Sequence, residues 1–284
     1  MEVDLHIHST YSDGTKTPEQ LLELAKEKGL KVLALTDHDN IEGSKKLVSL
    51  NHEGITVYSG VELNAKVDLG QMHILGYNFD LQNENLNRRL QELRNMAINN
   101  IKLYIKQLEE VFNIFLPEED IYNLLHGQGL INRPRLALLL IKNGYCTTVQ
   151  EAFDKYLKDD KVRKIKQVIS KEECISLINN AGGIAVLAHP WSLKLSDEEL
   201  EREIAYLKSI GLQGIEIIHS KNSEERREYY HKLAMYFNLL ETGGTDFHGK
   251  EVKPDIDLGS GIDNNVNIQR EGLSLLKKIK TRYE

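Results

Sequence analysis

Cysteine, positive charge and long apolar runs are what this sequence has little of. Of 284 residues only Cys146 and Cys174 are cysteines, and they form no Cys-x-x-Cys pair. A disulfide framework or thiolate metal knot is thereby excluded, and both read as plain core thiols. Lys and Arg number 36 against 43 Asp and Glu, a net charge of −7. A surface of that sign is not built to hold long DNA by counterion release. No stretch of 18 apolar residues predicts a membrane-spanning helix. Met1–Asp4 lacks the basic and apolar regions of a secretory signal, so a cytoplasmic protein with no membrane partner is expected. With 40% hydrophobic and 28% charged residues, the composition excludes disorder as the main state. Histidine is what stands out: there are ten, many placed where apolar runs end.

Strand and helix signals alternate over the first 80 residues, the pattern of a parallel sheet with covering helices. Strands are predicted at 3–8, 31–36, 55–62 and 71–77. A helix over 18–28 starts on a Thr17/Gln20 capping box with Pro18 in its first turn and stops at Gly29. From 81 to 169 strand patterns vanish. Leu86, Leu90, Leu93, Ala97, Ile101, Tyr104, Ile105, Leu108 and Phe112 recur three or four apart, predicting one amphipathic helix over 84–113. Shorter helices are predicted near 118–126, 133–143 and 148–158. The alternation then resumes: a helix capped by Ser170 and Glu173, a strand at 184–188, a helix capped by Ser196 and Glu199, and a strand at 213–218. A helix over 223–236, a strand near 239–242 and a last helix over 270–282 follow. There is no internal repeat or low-complexity tract. The simplest organisation is one α/β barrel built from 1–80 and 170–284, interrupted by an all-helical insertion over 81–169.

His6 and His8, two apart on a strand, project from one face and can offer one ion two nitrogens. Ser9-Thr10-Tyr11-Ser12-Asp13-Gly14 follows at that strand's C-terminal end, where barrel enzymes keep their chemistry. The second strand ends in Thr36-Asp37-His38-Asp39 and the third in Gly60-Val61-Glu62. His73 sits in the fourth, His189 ends Ile-Ala-Val-Leu-Ala-His-Pro, and Thr245-Asp246-Phe247-His248 follows the strand near 240. Any one of these alone reads as a cap or a surface ion pair. Six histidines and three carboxylates recurring at strand ends would converge on one mouth if the strands are parallel and closed. Nitrogen and carboxylate ligands suit zinc, manganese or iron, and Glu62 can bridge two ions. Clustered cations bind phosphate esters and activate water, so phosphate ester hydrolysis by metal-activated hydroxide is expected. Asp37 and Asp39 are expected to orient His38. The run Lys161, Arg163, Lys164 and Lys166 reads as a solvated basic face or a local track for phosphate or short RNA. His52, His126 and His231 read as structural. Trp191 and Tyr77 flank metal motifs, where packing or stacking on a base are both open.

Taken together, His6-x-His8, Asp13-Gly14, Thr36-Asp37-His38-Asp39, Gly60-x-Glu62, His73-x-Leu75-Gly76, Ala188-His189-Pro190 and Gly244-Thr245-Asp246-x-His248 resemble the polymerase and histidinol phosphatase (PHP) family, over nearly the full chain. The helical insertion resembles that of its nucleotide-directed phosphoesterases. The resemblance implies a distorted (β/α)7 barrel with two or three divalent ions. One would be held by His6, His8, Glu62 and Asp246, a second by Glu62, His73 and His189, and a third by Asp13, His38 and His248. Asp13, His38, Glu62, Asp246 and His248 would be catalytic. The implied substrate is a small phosphate ester, a nucleoside 3′,5′-bisphosphate or mononucleotide. Histidinol phosphate, 5′-to-3′ trimming of short RNA, and a regulatory metal-binding module are the alternatives. An amidohydrolase is disfavoured because no barrel-strand lysine fills the usual place. Two positions depart from the family. The insertion's Arg-Pro-His motif reads Arg133-Pro134-Arg135, and Asn222 stands where relatives often have histidine. Arg133, Arg135 and His219 are the expected substrate phosphate contacts.

Overall fold

The computed structural model describes residues 2–157 and 169–283. Seven strands lie side by side in chain order: β1 Val3–Ile7, β2 Val32–Leu35, β3 Thr56–Ala65, β4 Met72–Tyr77, β5 Ile184–Leu187, β6 Gly214–Ile218 and β7 Leu240–Gly243. Just beyond β7, Phe247 bridges back to Ile7 in parallel, so the sheet curls into a nearly closed barrel. On β2, Val32 and Ala34 join Val3, Leu5, Tyr58 and Tyr77 in one buried cluster. Leu33 and Leu35 join Ile7, Val57 and the Leu21, Leu22 and Ala25 face of helix Pro18–Glu27 in another. Successive strand residues alternate faces, and both faces are covered, which is why these runs are apolar throughout. That helix starts on the predicted capping box of Thr17 and Gln20.

Two predicted features differ. β1, β2 and β3 pair in parallel, as do β5, β6 and β7, but β4 runs antiparallel to both its neighbours. A parallel return needs a long crossover, whereas only residues 66–71 join β3 to β4, so the chain must double back. The reversal places the beginning of β4, rather than its end, at the mouth where the other strands finish. The last helix is also shorter than 270–282. A 3-10 turn, Arg270–Gly272, precedes helix Ser274–Lys278. The backbone then leaves the helix and ties itself down: Thr281 Oγ1 donates to Val57 O at 2.7 Å, and Arg282 to Asn78 O and Gly182 O at 2.7 and 2.9 Å.

Met1–Asn87 with Val168–Glu284 form one compact unit, and Arg88–Gln167 a second. The first junction lies past residue 81 because helix Glu84–Phe112 begins within the barrel unit. Its Leu86 is fully buried there, and Asn87 Oδ1 accepts from Lys45 Nζ at 2.6 Å. The described residues of the second unit, 88–157, are helical, with Ile101, Tyr104, Leu108, Leu136 and Leu140 in their own core. Lys161, Arg163, Lys164 and Lys166 lie outside the described residues. Among the described residues, no helix is long and apolar enough to cross a membrane.

Candidate metal centre

The barrel unit brings the six histidines and three carboxylates singled out at strand ends into one cluster, with Glu62 at its middle. Glu62 Oε1 lies 2.7 Å from His73 Nδ1 and 2.9 Å from His189 Nε2. Its other oxygen, Oε2, lies 3.2 Å from His6 Nε2, 3.1 Å from His8 Nε2 and 3.3 Å from His38 Nδ1. Asp246 Oδ1 is 3.3 Å from His8 Nε2 and 3.4 Å from His248 Nδ1, and Asp13 Oδ1 is 3.3 Å from His248 Nε2. His73 reaches Glu62 because β4 is reversed: it pairs opposite Asn64, at the late end of β3.

Buried polar atoms are normally hydrogen-bonded. Here His6 Nε2, His8 Nε2, His38 Nδ1, Asp13 Oδ1 and Glu62 Oε2 are buried with no hydrogen-bond partner among the described residues, although they face one another closely. Lone pairs aimed at a common centre rather than at donors are what a cation requires. Four groups place their donor atoms within 4.8 Å of one another: His8, Asp13, His38 and His248; His6, Glu62 and His189; His6, His8 and Asp246; His38, Glu62 and His73. The donors are nitrogen and oxygen only, and they fit divalent cations. Charge agrees. Burial would raise the Glu62 carboxyl, but His38, His73 and His6 outweigh it and hold it well below the usual glutamate range. His38 is pushed down to about 3, chiefly by burial, and burial also lowers His189 and His248, leaving neutral imidazoles ready to ligate. His6, His8 and His73 go the other way. Burial opposes their charge, yet the surrounding carboxylates prevail, taking His8 up to about 9.

Residues that sequence reading passed over hold this cluster in place. Glu216, fully buried on β6, accepts from His6 Nδ1 at 2.9 Å and from the His189 backbone N–H at 2.8 Å. With Nδ1 protonated, Nε2 of His6 keeps its lone pair for the centre. A lone carboxylate inside Gly-Ile-Glu-Ile-Ile was the available signal. Partners of this kind commonly contribute about 10- to 100-fold in metal affinity, so Glu216→Gln is expected to weaken metal binding by that factor, measured by isothermal titration. Asp4, on the His6 face of β1, accepts from Thr245 N–H, Thr245 Oγ1 and Gly259 N–H at 2.9, 2.6 and 2.8 Å. Burial nonetheless pushes its carboxyl up to about 6. It pins the turn that carries Asp246, a residue held at a φ of +59°. Gly244 lets that turn approach β1, since a Cβ there would sit 2.4 Å from His6 N. Lys253 Nζ lies 2.6 Å from Asp246 Oδ2 and stands in a loop where nothing in the sequence marks it out.

Asp37 and Asp39 do other work than orienting His38. Asp37 accepts from Ser9 N–H, Ser9 Oγ and Ser12 Oγ at 2.8, 2.7 and 2.5 Å, fixing the loop that presents Asp13. Asp39 accepts from Asn64 N–H and Nδ2 at 3.0 and 2.7 Å.

Residues 4–217 match the PHP domain family. The chain belongs to that family. It is 31% identical to a 5′-3′ exoribonuclease of Salmonella typhimurium, over 90% of this chain and 87% of the relative. It is 29% identical to a 3′,5′-nucleoside bisphosphate phosphatase of Chromobacterium violaceum, over 90% and 92%. Among solved structures, a protein from Bifidobacterium adolescentis described as a metal-dependent phosphoesterase is 30% identical with a TM-score of 0.73, covering 92% and 93%.

The expected substrate contacts of this PHP chain fare differently from its histidine cluster. His219 is fully buried, and both its nitrogens are engaged: Nδ1 accepts from Lys221 N–H at 3.0 Å, and Nε2 meets Asp246 Oδ2 at 3.3 Å. It braces Asp246, which leaves it no nitrogen for a phosphate. Asn222 is buried and closes the same turn, donating from Nδ2 to Ile217 O at 3.1 Å. In the helical unit, the Arg133 guanidinium packs 5.3 Å from the Phe153 ring centroid and 5.9 Å from that of Tyr104. Arg135 donates to Leu130 O at 3.3 Å. His52 hydrogen-bonds Ile55 O, His126 stacks near Tyr122, and exposed His231 pairs with Glu241. Tyr77 is fully buried, with its hydroxyl on Leu5 O, so its role is packing.

Proposed function

We propose that this PHP chain hydrolyses phosphate esters of nucleotides, nucleoside 3′,5′-bisphosphates or mononucleotides first among them, with two or three divalent cations of manganese, zinc or iron. The observation that carries the proposal is the set of unpartnered, buried nitrogen and oxygen atoms gathered around Glu62. Glu62 would hold two of the cations, one with His73 and His189 and the other with His6, His8 and Asp246. Asp13, His38 and His248 would complete a third position. When bound, such cations neutralise phosphate oxygens and lower the pKa of water. Glu216, Asp4, Asp37 and His219 hold the ligands at fixed positions, which removes reorganisation from the reaction. Ser9 and Ser12 donate their hydroxyls to Asp37, and Ser192 donates to Gln71 O. All three serines are buried with their hydroxyls tied into the scaffold, so water is assigned as the nucleophile. Arg133 and Arg135 are kept as phosphate contacts on the strength of the family's motif.

A second reading, 5′-to-3′ removal of nucleotides from short RNA, is supported by the Salmonella relative. One panel separates the readings: adenosine 3′,5′-bisphosphate, mononucleotides, histidinol phosphate and a 5′-phosphorylated short RNA, each with manganese, zinc or iron. Metal-dependent release of inorganic phosphate from the nucleotides is expected. Release of mononucleotides from RNA alone would move the assignment to the exoribonuclease, and no turnover of any ester would overturn it in favour of a binding module.

A further inference from the structure

Trp191 is the only tryptophan in the chain, and 39% of it is exposed. It sits on the 3-10 turn Pro190–Leu193, directly after His189. Its ring centroid is 5.8 Å from those of His189 and of His219, the residues that touch Glu62 and Asp246. An open aromatic surface thus lies one side chain away from the converging donors. The turn beneath it is fixed. Ser192 Oγ lies 2.9 Å from His189 Nδ1 and donates to Gln71 O at 2.9 Å, and Gln71 N–H returns a bond to Ser192 O at 2.9 Å. The Lys221 ammonium lies 5.0 Å from the Trp191 ring centroid, on a turn held by Ser220 Oγ donating to Thr245 O at 2.6 Å. Tyr77 is fully buried, as packing requires, whereas Trp191 keeps part of its ring open within 5.8 Å of two imidazoles of the charged centre.

We propose that Trp191 is the platform for the nucleobase, on which the base stacks while its phosphate is held at the histidine and carboxylate cluster. The inference rests on the nucleotide phosphoesterase reading above and names the part of the substrate that reading leaves free. A base stacked on an aromatic side chain contributes about 5- to 150-fold in binding. Lys221, 5.0 Å from the ring centroid, places a positive charge beside the platform, where the substrate's phosphate oxygens can use it. A base has a π-face whatever its identity, so the platform selects nucleotides over sugar phosphates without choosing among bases.

Because the chain has one tryptophan, its fluorescence reports this ring alone. In the intact chain, adenosine 5′-monophosphate is expected to quench that fluorescence and ribose 5-phosphate to leave it nearly unchanged. By calorimetry the nucleotide should bind about 5- to 150-fold more tightly than the sugar phosphate. W191A is expected to bring that ratio close to one, and W191F to retain part of it. Unchanged fluorescence at saturating nucleotide, or a W191A ratio equal to that of the parent chain, overturns the platform. Selective quenching in a chain that hydrolyses no ester would uphold the platform and sink the phosphoesterase reading instead.

Discussion

Glu62→Gln is expected to lower kcat/KM on a nucleotide phosphate ester by about a thousandfold or more while leaving the fold intact. Five histidine nitrogens lie within 3.3 Å of the two Glu62 oxygens. An amide in its place keeps the volume but removes the charge and replaces one oxygen by a group that carries hydrogens and cannot ligate. Removing a single charge-stabilising donor from an active site costs about 2.7–4 kcal/mol, roughly 10²- to 10³-fold. Glu62 would serve two cations at once, so its loss belongs at or beyond the upper end. Steady-state kinetics, with metal content and circular dichroism measured on the same preparation, check it. Activity within tenfold of the parent chain, at full metal content, would show that Glu62 is no bridge.

Removing metal should have the largest effect on stability. At a free cation concentration a thousandfold above Kd, binding to the folded state alone contributes about 4 kcal/mol. A domain of roughly 150–250 residues gains about 2–4 °C in Tm per kcal/mol, so chelation is expected to lower the barrel's melting point by roughly 8–16 °C. The effect has a physical source: without cations, Asp13, Glu62 and Asp246 are compensated by Lys253 and by His6, His8 and His73, which the surrounding carboxylates, Glu216 included, push toward their charged forms. Thermal melts in chelator and in manganese measure the shift. A change smaller than about 2 °C, within what metal-independent folding allows, would mean that the cluster is satisfied by its own hydrogen bonds.

The clustering of the nine candidates was legible because they sit in or next to strands, mostly near strand ends, and polar side chains there have no packing reason to recur nine times. His6 and His8 were clearest, since a period of two fixes a common face on β1. His73 was legible as a residue but not in its geometry: a parallel sheet would have sent it to the wrong end, and only the short link from β3 to the reversed β4 brings it to Glu62. What stayed hidden was the support. Lys253 reaches Asp246 from the same loop, where a lysine carries no sequence signal of its own, and Glu216 and Asp4 act on residues far away in sequence, His6 and Thr245, across a distance that only barrel closure removes. For the same reason Asp37 looked like a partner of its neighbour His38 but serves Ser9 and Ser12 across the mouth. His219 was expected as a phosphate contact in place of the histidine that relatives often carry where Asn222 stands, whereas its burial against Asp246 depends on the β6–β7 pairing.

Anomalous diffraction from manganese-soaked crystals addresses the shared centre most directly. Two or three peaks are expected, two of them flanking Glu62, one on its His73 and His189 side and one on its His6 and His8 side. A single peak away from Glu62, or none under conditions that support turnover, would contradict a polynuclear centre bridged by that residue.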